Sequence, residues 1–153
     1  MDFEINEDGD KFWYKEGKRH RVDGPAIECP NGDKSWYKEG KLHREDGPAV
    51  EYAGGTKRWF KEGKLHRLDG PACEYADGDK FWYIEGKRHR EDGPAIERTD
   101  GTKYWSIDDN LHREDGPAIE YSNGDKLYYY LGKKIECNSN EEYFKLLKLK
   151  VFW

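Results

Sequence analysis

A strict 23-residue repeat constrains this chain more than any other feature of its sequence. A tryptophan, a His-Arg pair and an Asp-Gly-Pro-Ala segment return with one spacing, and five complete repeats follow one another without an insertion. Such a period is the signature of an array in which each repeat packs mainly against its neighbours. The glycines that begin the six repeats are Gly9, Gly32, Gly55, Gly78, Gly101 and Gly124.

One repeat, residues 32–54, has the pattern of a β-hairpin. Its first half is aromatic around Trp36 and favours a strand, and residues 49–52 alternate as a second strand. Glu39-Gly40 supplies a turn between them, and Asp46-Gly47-Pro48 interrupts the second half. Short connections make neighbouring strands antiparallel. The sequence therefore predicts an all-β repeat fold, an elongated antiparallel meander of stacked 23-residue hairpins.

The connections between repeats carry dipeptides that favour type I′ hairpin turns. They are Asn31-Gly32, Asp77-Gly78, Asp100-Gly101 and Asn123-Gly124.

The composition agrees with a thin array. Hydrophobic residues make up 35% and charged residues 39% of the chain, which is too polar for a thick core, yet 15% is aromatic, unlike a disordered chain. The net charge of -5, with both signs interspersed, argues against a surface built to wrap nucleic acid. No apolar run is long enough to span a membrane, and the acidic start argues against a signal peptide.

Stacking places equivalent residues in columns. We expect the tryptophans to pack on one face with an aliphatic column (Ile27, Val50, Cys73, Ile96 and Ile119). A second aromatic column (Tyr14, Tyr37, Phe60, Tyr83 and Tyr129) would then point to the opposite face.

The His-Arg pairs are the candidate site residues. In one interpretation they satisfy turn carbonyls or bridge to acids, because buried polar groups need partners. In the other they form a row that binds an anionic partner. A shared metal ion is not expected, since equivalent residues lie about 9.6 Å apart, and five copies of one pattern do not point to a catalytic site. The pairs are His20 and Arg21, His43 and Arg44, His66 and Arg67, His89 and Arg90, and His112 and Arg113.

The ends of the array depart from the repeat. Ser139-x-x-Glu142 is a capping box, and it predicts a helix over roughly 140–149 whose apolar face carries Tyr143, Leu146 and Leu147. We therefore divide the chain into a hairpin array, 1–138, and a capping helix with its tail, 139–153. The lysines of this segment, Lys145, Lys148 and Lys150, allow a membrane-surface helix as the alternative, and residues 151–153 would extend the packing or contact a partner.

At the N-terminus, residues 3–5 alternate and offer a first strand; without it, a bare edge would pair with a second copy of the chain.

The cysteines form no disulfide framework. Their number is odd, and the spacing of the repeats keeps Cys29, Cys73 and Cys137 too far apart to pair. This indicates a reduced, cytoplasmic protein.

The repeat resembles the MORN repeat, whose unit is also a 23-residue hairpin with aromatic, Gly-Lys and His positions. The resemblance spans about residues 9–135 and is carried by Asn31-Gly32-Asp33-Lys34, Trp36-Tyr37 and Gly40-Lys41-x-His43. The family's His-Gly-x-Gly is here replaced by His43-Arg44-Glu45-Asp46-Gly47-Pro48-Ala49, which is similar to variant repeats of phage, giant-virus and bacterial proteins, some of them antitoxin-like. The resemblance implies a rod-like sheet used for binding, scaffolding or dimerisation, and it supplies no catalytic residue.

The first functional hypothesis is therefore a non-catalytic protein-binding module, by analogy a phage-type inhibitor of a host defence or toxin protein. It rests on the His-Arg row and on a column that varies between repeats: Phe12, Ser35, Arg58, Phe81 and Tyr104. The alternatives are binding of a nucleotide or of single-stranded nucleic acid through arginines and aromatics, and a lipid-associated scaffold. Neither an enzyme nor a cofactor is expected.

Overall fold

The computed structural model describes residues 2–149, and this part of the chain forms two compact halves, residues 2–86 and 87–149. The strands of the N-terminal half are β1 Asp2–Ile5, β2 Lys11–Lys15, β3 Lys18–Arg19, β4 Ile27–Glu28, β5 Lys34–Ser35, β6 Tyr37–Lys38, β7 Lys41–Leu42, β8 Val50–Glu51, β9 Lys57–Arg58, β10 Phe60–Lys61, β11 Lys64–Leu65, β12 Cys73–Glu74, β13 Lys80–Phe81 and β14 Tyr83–Ile84. The C-terminal half contains β15 Lys87–Arg88, β16 Ile96–Glu97, β17 Lys103–Tyr104, β18 Ser106–Ile107, β19 Asn110–Leu111, β20 Ile119–Glu120, β21 Lys126–Tyr130, β22 Lys133–Ile135 and the helix α1 Asn140–Leu149. The predicted all-β repeat of antiparallel hairpins with a short C-terminal helix is confirmed.

Each half is built on a meandering antiparallel sheet. In the N-terminal half the strand order is β1-β2-β4-β5-β8-β9-β12-β13, with β3 beside β2 and two short ribbons, β6-β7 and β10-β11. In the C-terminal half the order is β16-β17-β20-β21-β22, with the ribbon β18-β19. The segment before the first repeat does supply a strand, since β1 pairs with β2 along its whole length.

A repeat is one hairpin whose second arm contains an extruded loop. Around Trp36 the first arm pairs with β7 at one end and with β8 at the other. The backbone N–H of Trp36 donates to the carbonyl of Ala49, 2.8 Å away, while the N–H of His43 donates to the carbonyl of Trp36, 3.0 Å away. Residues 44–48 therefore leave the sheet opposite the tryptophan. The bond between a tryptophan N–H and an alanine carbonyl recurs at Trp13, Trp59 and Trp105.

The register contradicts the predicted partners of the tryptophan column. Ile27 lies directly opposite Phe12 and Ser35, and directly opposite residues share a face. Trp13 instead lies opposite Ala26. The prediction was wrong because a one-residue change of register moves a side chain to the other face, and the extruded loop brings alanine rather than isoleucine opposite the indole. The alanine of each repeat is fully buried: Ala26, Ala49, Ala72, Ala95 and Ala118.

The type I′ turn lies within the hairpin and not at the connection between repeats, where it was predicted. Glu39 and Gly40 both have positive φ, 52° and 81°, as a type I′ turn requires. At the predicted type I′ site Gly32 has φ 97°, but Asn31 is not in the left-handed region. Its side-chain oxygen instead accepts the N–H of Asp33, and Gly32 donates to the carbonyl of Cys29. This connection is a three-residue loop closed by a glycine bulge.

The C-terminal helix covers the last hairpin as predicted. The N–H of Glu142 donates to Ser139 Oγ, 3.1 Å away, and the N–H of Asn138 donates to Glu142 Oε2, 2.9 Å away, which completes the capping box. Tyr143 is fully buried and packs with Tyr128 and Ile135. Leu146 and Leu147 pack against this cluster, so the predicted apolar face is confirmed.

The tail assigned above to packing or to a partner, residues 151–153, and Lys150 lie outside the described residues. Within residues 2–149, no helix has the length and apolar character needed to cross a membrane.

Candidate functional site

The arginine of each His-Arg pair closes the extruded loop of its own repeat. Arg44 Nε donates to Asp46 Oδ1 over 2.9 Å, and its Nη1 donates both to the carbonyl of Pro48 and to Glu51 Oε1, over 3.2 and 2.9 Å. Its guanidinium carbon lies 4.0 Å from the centre of a Trp36 ring. We call this arrangement the arginine clamp. The three hydrogen bonds recur at Arg21, Arg67, Arg90 and Arg113.

The loop sequence fits the clamp closely. A Cβ at Gly47 would lie 3.1 Å from Arg44 Cζ, so any larger residue there would press on the guanidinium. The proline carbonyl needs a donor from outside the sheet, and the arginine supplies it. The Asp-Gly-Pro segment is therefore the part of the repeat that receives the arginine.

The clamps leave carboxylates at the surface. The hydrogen bond from Arg44 lowers the pKa of Asp46, and Asp69 and Asp92 have lowered pKa values for the same reason. The Asp46 side chain is 83% exposed, whereas the Arg44 side chain is 22% exposed. The loops thus present negative charge to solvent, although their motif was singled out for its positive charge.

The histidines connect one repeat to the next. His43 Nδ1 accepts the backbone N–H of Glu62, nineteen residues ahead, over 3.2 Å. We call this contact the histidine latch. The same contact joins His20 to Glu39, His66 to Glu85, and His112 to Leu131, while His89 Nδ1 lies 3.0 Å from Asp108 Oδ1.

His112 differs from the other histidines in its surroundings. The residue that donates to it is Leu131, where earlier repeats have Glu or Asp, and the Tyr130 ring lies edge-on at 4.8 Å. Burial lowers the pKa of His112, and the charge of Glu114 offsets part of that shift. The neutral ring is the form that the latch requires, since only an unprotonated nitrogen can accept.

Open grooves lie between successive loops. One, of about 750 Å³, is lined by Arg21, Trp36, His43 and Asp46, and the next, of about 850 Å³, by Arg44, Trp59 and Asp69. A third, of about 750 Å³ in the C-terminal half, is lined by Arg90, Trp105 and His112. The structure therefore places the predicted His-Arg row along the walls of shallow grooves, with its arginine donors bonded to acids and carbonyls.

The opposite face carries the column that varies between repeats. In the N-terminal half Phe12, Ser35, Arg58 and Phe81 lie in register with the aliphatic column, and in the C-terminal half Tyr104 does so. These side chains are half-buried, and tyrosines stand beside them. Tyr75 packs edge-on against Phe81 at 5.2 Å, and Tyr121 against Tyr104 at 6.3 Å.

Sequence reasoning named Arg58 only as one of the varied positions. In the structure its guanidinium carbon lies 5.6 Å from the ring centres of both Tyr52 and Tyr75. Burial raises the pKa of the neighbouring Cys73 thiol to about 11, and the Arg58 charge opposes this shift only in part. The 23-residue interval between Tyr52 and Tyr75, on either side of an arginine, was the signal available in the sequence.

Comparisons with known proteins add no family assignment. Neither a scan against protein-family models nor a search of curated proteins finds a match for the chain.

Proposed function

We propose that the chain is a non-catalytic protein-binding module of the MORN-variant type, and that it binds its partner through the face that carries the varied column. The observation behind this proposal is the contrast between the two faces. One face repeats the same clamp in the first five repeats, whereas the other changes its side-chain chemistry from repeat to repeat. A surface that distinguishes one partner from others needs such variation.

The composition of the varied face supports a protein partner. It presents phenylalanine, tyrosine and arginine, which are enriched in the energetically important parts of protein interfaces. The exposed Tyr52 and Tyr121 extend it toward solvent. Large, rigid side chains of this kind bury much area at a small entropic cost.

Site-specific crosslinking tests the proposal. A photoreactive amino acid replaces Ser35 on the varied face or its neighbour Lys34, which points to the other face because successive residues of a strand alternate. We expect crosslinking in native cells to yield one discrete protein from position 35 and none from position 34. The protein identified in this way is then purified, and its affinity for the chain is measured.

The affinity measurement decides between the functional hypotheses. Phe81→Ser and Phe12→Ser are each expected to weaken binding of the purified partner by at least about tenfold, the effect of losing an aromatic contact at an interface. Equal crosslinking from positions 34 and 35 would contradict the proposal. Salt-sensitive binding of a labelled single-stranded oligonucleotide with no protein crosslink would favour the nucleic-acid alternative.

A further inference from the structure

Arg58 is a positive charge in an otherwise uncharged column. The other members of the column in the N-terminal half are Phe12, Ser35 and Phe81, and the direct cross-strand neighbours of Arg58 are Val50 and Cys73. Both of these neighbours are buried. The Arg58 side chain therefore lies among apolar neighbours on this face of the sheet.

No acid neutralises this charge within the described part of the chain. Among residues 2–149, no carboxylate forms an ion pair with Arg58, and its Nε is buried without a hydrogen-bond partner. The clamp arginine Arg44, in contrast, bonds to two carboxylates and a carbonyl. The Cys73 thiol does not supply the missing charge, because burial keeps it protonated.

An unneutralised guanidinium at a half-buried position is costly, and arginine does not escape the cost by losing its proton. Tyr52 and Tyr75 flank it at 5.6 Å each and provide cation–π attraction. Neither ring supplies an acceptor for the N–H groups at the guanidinium edge. A planar anion that accepts two parallel hydrogen bonds matches that edge.

We infer that Arg58, held between Tyr52 and Tyr75, binds a single carboxylate of the partner protein that is flanked by apolar side chains. This inference rests on the proposed function and names the chemistry at the centre of the binding face. A protein carboxylate is favoured over the phosphates of nucleic acid or membrane because the chain carries a net charge of -5. A polyanion would be repelled as a whole, whereas one carboxylate flanked by apolar side chains meets the arginine and the aromatic surface together.

A direct titration tests this subsite without knowledge of the partner. The probe is a capped peptide with one Glu between Phe residues, and its control is the same peptide with Gln in place of Glu. Binding is followed by NMR at the Arg58 side-chain Nε–H and at the ring protons of Tyr52 and Tyr75. We expect saturable shifts with the Glu peptide and at least about tenfold weaker binding of the Gln peptide.

Variants of the chain test whether binding of the Glu peptide depends on Arg58. Arg58→Gln is expected to abolish binding of the Glu peptide, and Arg58→Lys, which keeps the charge but loses the planar fork, to weaken it several-fold. Lys57→Gln makes the same change of charge at the next residue, on the opposite face, and is expected to bind like the wild type. If Arg58→Gln fails to fold, the wild-type chain decides: saturable shifts of the Tyr52 and Tyr75 ring protons with the Glu peptide but not with the Gln peptide support the inference, and equal shifts overturn it.

Three outcomes would overturn the inference. They are equal binding of the two peptides, retention of binding in Arg58→Gln, and saturable binding of inorganic phosphate at Arg58 in place of the Glu peptide. The proposed function would survive them if crosslinking at position 35 still gave a discrete partner. Loss of that crosslink with an intact Arg58 response would overturn the proposed function instead.

Discussion

The imidazole of His43 accepts a hydrogen bond from the backbone N–H of Glu62, 3.2 Å away in the following repeat. The same ring nitrogen lies 3.1 Å from Glu62 Oε1, so both the backbone and the side chain of Glu62 meet the imidazole. His20 and His66 accept an N–H in the same way. Histidine side chains therefore contribute to the cohesion between successive hairpins.

The latch formed by His112 is expected to depend on pH in a defined direction. Burial lowers its pKa below 6.5, so the unfolded chain binds the proton more readily than the folded one. The contribution of His112 to the free energy of unfolding is full above about pH 6.5 and is lost as the pH falls toward the folded-state pKa. Urea unfolding at pH 7.5 and at pH 5 measures the loss.

The control variant is His112→Asn, whose amide oxygen can accept the Leu131 N–H but does not titrate. We expect it to lose less stability than the wild type between these two pH values. Identical losses would show that His112 does not titrate differently in the folded and unfolded chain.

The arginine clamp makes a strong prediction for stability. Arg44→Ala removes three hydrogen bonds and leaves the Pro48 carbonyl without its donor, so we expect a loss of about 2–3 kcal/mol. Arg44→Lys keeps the charge but not the fork, and an intermediate loss is expected. Chemical denaturation is the measurement. The exposed Lys38→Ala serves as control, with a change within about 0.5 kcal/mol, and an equal effect of Lys38→Ala and Arg44→Ala would contradict the clamp.

Substitution of Ser106 is expected to increase stability, unlike substitution of Arg44. Its side chain is 1% exposed, and its hydroxyl has no hydrogen-bond partner among residues 2–149. Ser106→Ala removes an unsatisfied buried group and is expected to raise the free energy of unfolding by up to about 1 kcal/mol. Ser122→Ala, at an exposed position, should be neutral. A destabilised Ser106→Ala would show that the hydroxyl has a partner in solution.

Tyr143 joins the capping helix to the last hairpin. Its hydroxyl donates to the backbone carbonyl of Arg113, and burial raises its pKa to about 12. Tyr143→Phe is expected to cost about 1–2 kcal/mol, since the carbonyl loses its donor, whereas the exposed Tyr121→Phe should cost little. Thermal unfolding compares the two variants, and equal melting temperatures would refute the contact. In the wild type, the contribution of the Tyr143 hydroxyl to the free energy of unfolding falls as the pH rises from 10 toward 12.

Local sequence signals predicted the elements that local chemistry determines. Ser139 and Glu142 fix the start of the helix through hydrogen bonds within one turn, and the helix lies where the capping box placed it. The 23-residue period likewise identified the hairpins. These features need no knowledge of distant contacts.

The prediction that was wrong, the packing partner of the tryptophan column, depended on the register of the strands. Whether Trp36 faces Ala49 or Val50 is decided by where the extruded loop leaves the strand, and sequence alternation cannot locate that point. The same limit applies to the His-Arg row. Sequence showed ten cationic or titratable side chains, but not that the guanidinium of Arg44 is bonded within its own loop.

The histidine latch spans nineteen residues, and both of its ends lie at fixed positions of the repeat. Removal of residues 55–77 would bring Glu85 to the place of Glu62 in the latch to His43, and the two residues share a φ near 50°. The histidine latch would form again between equivalent residues. A gene for such a chain can thus gain or lose whole repeats by recombination, and a recognition residue such as Arg58 is acquired or discarded together with the hairpin that carries it.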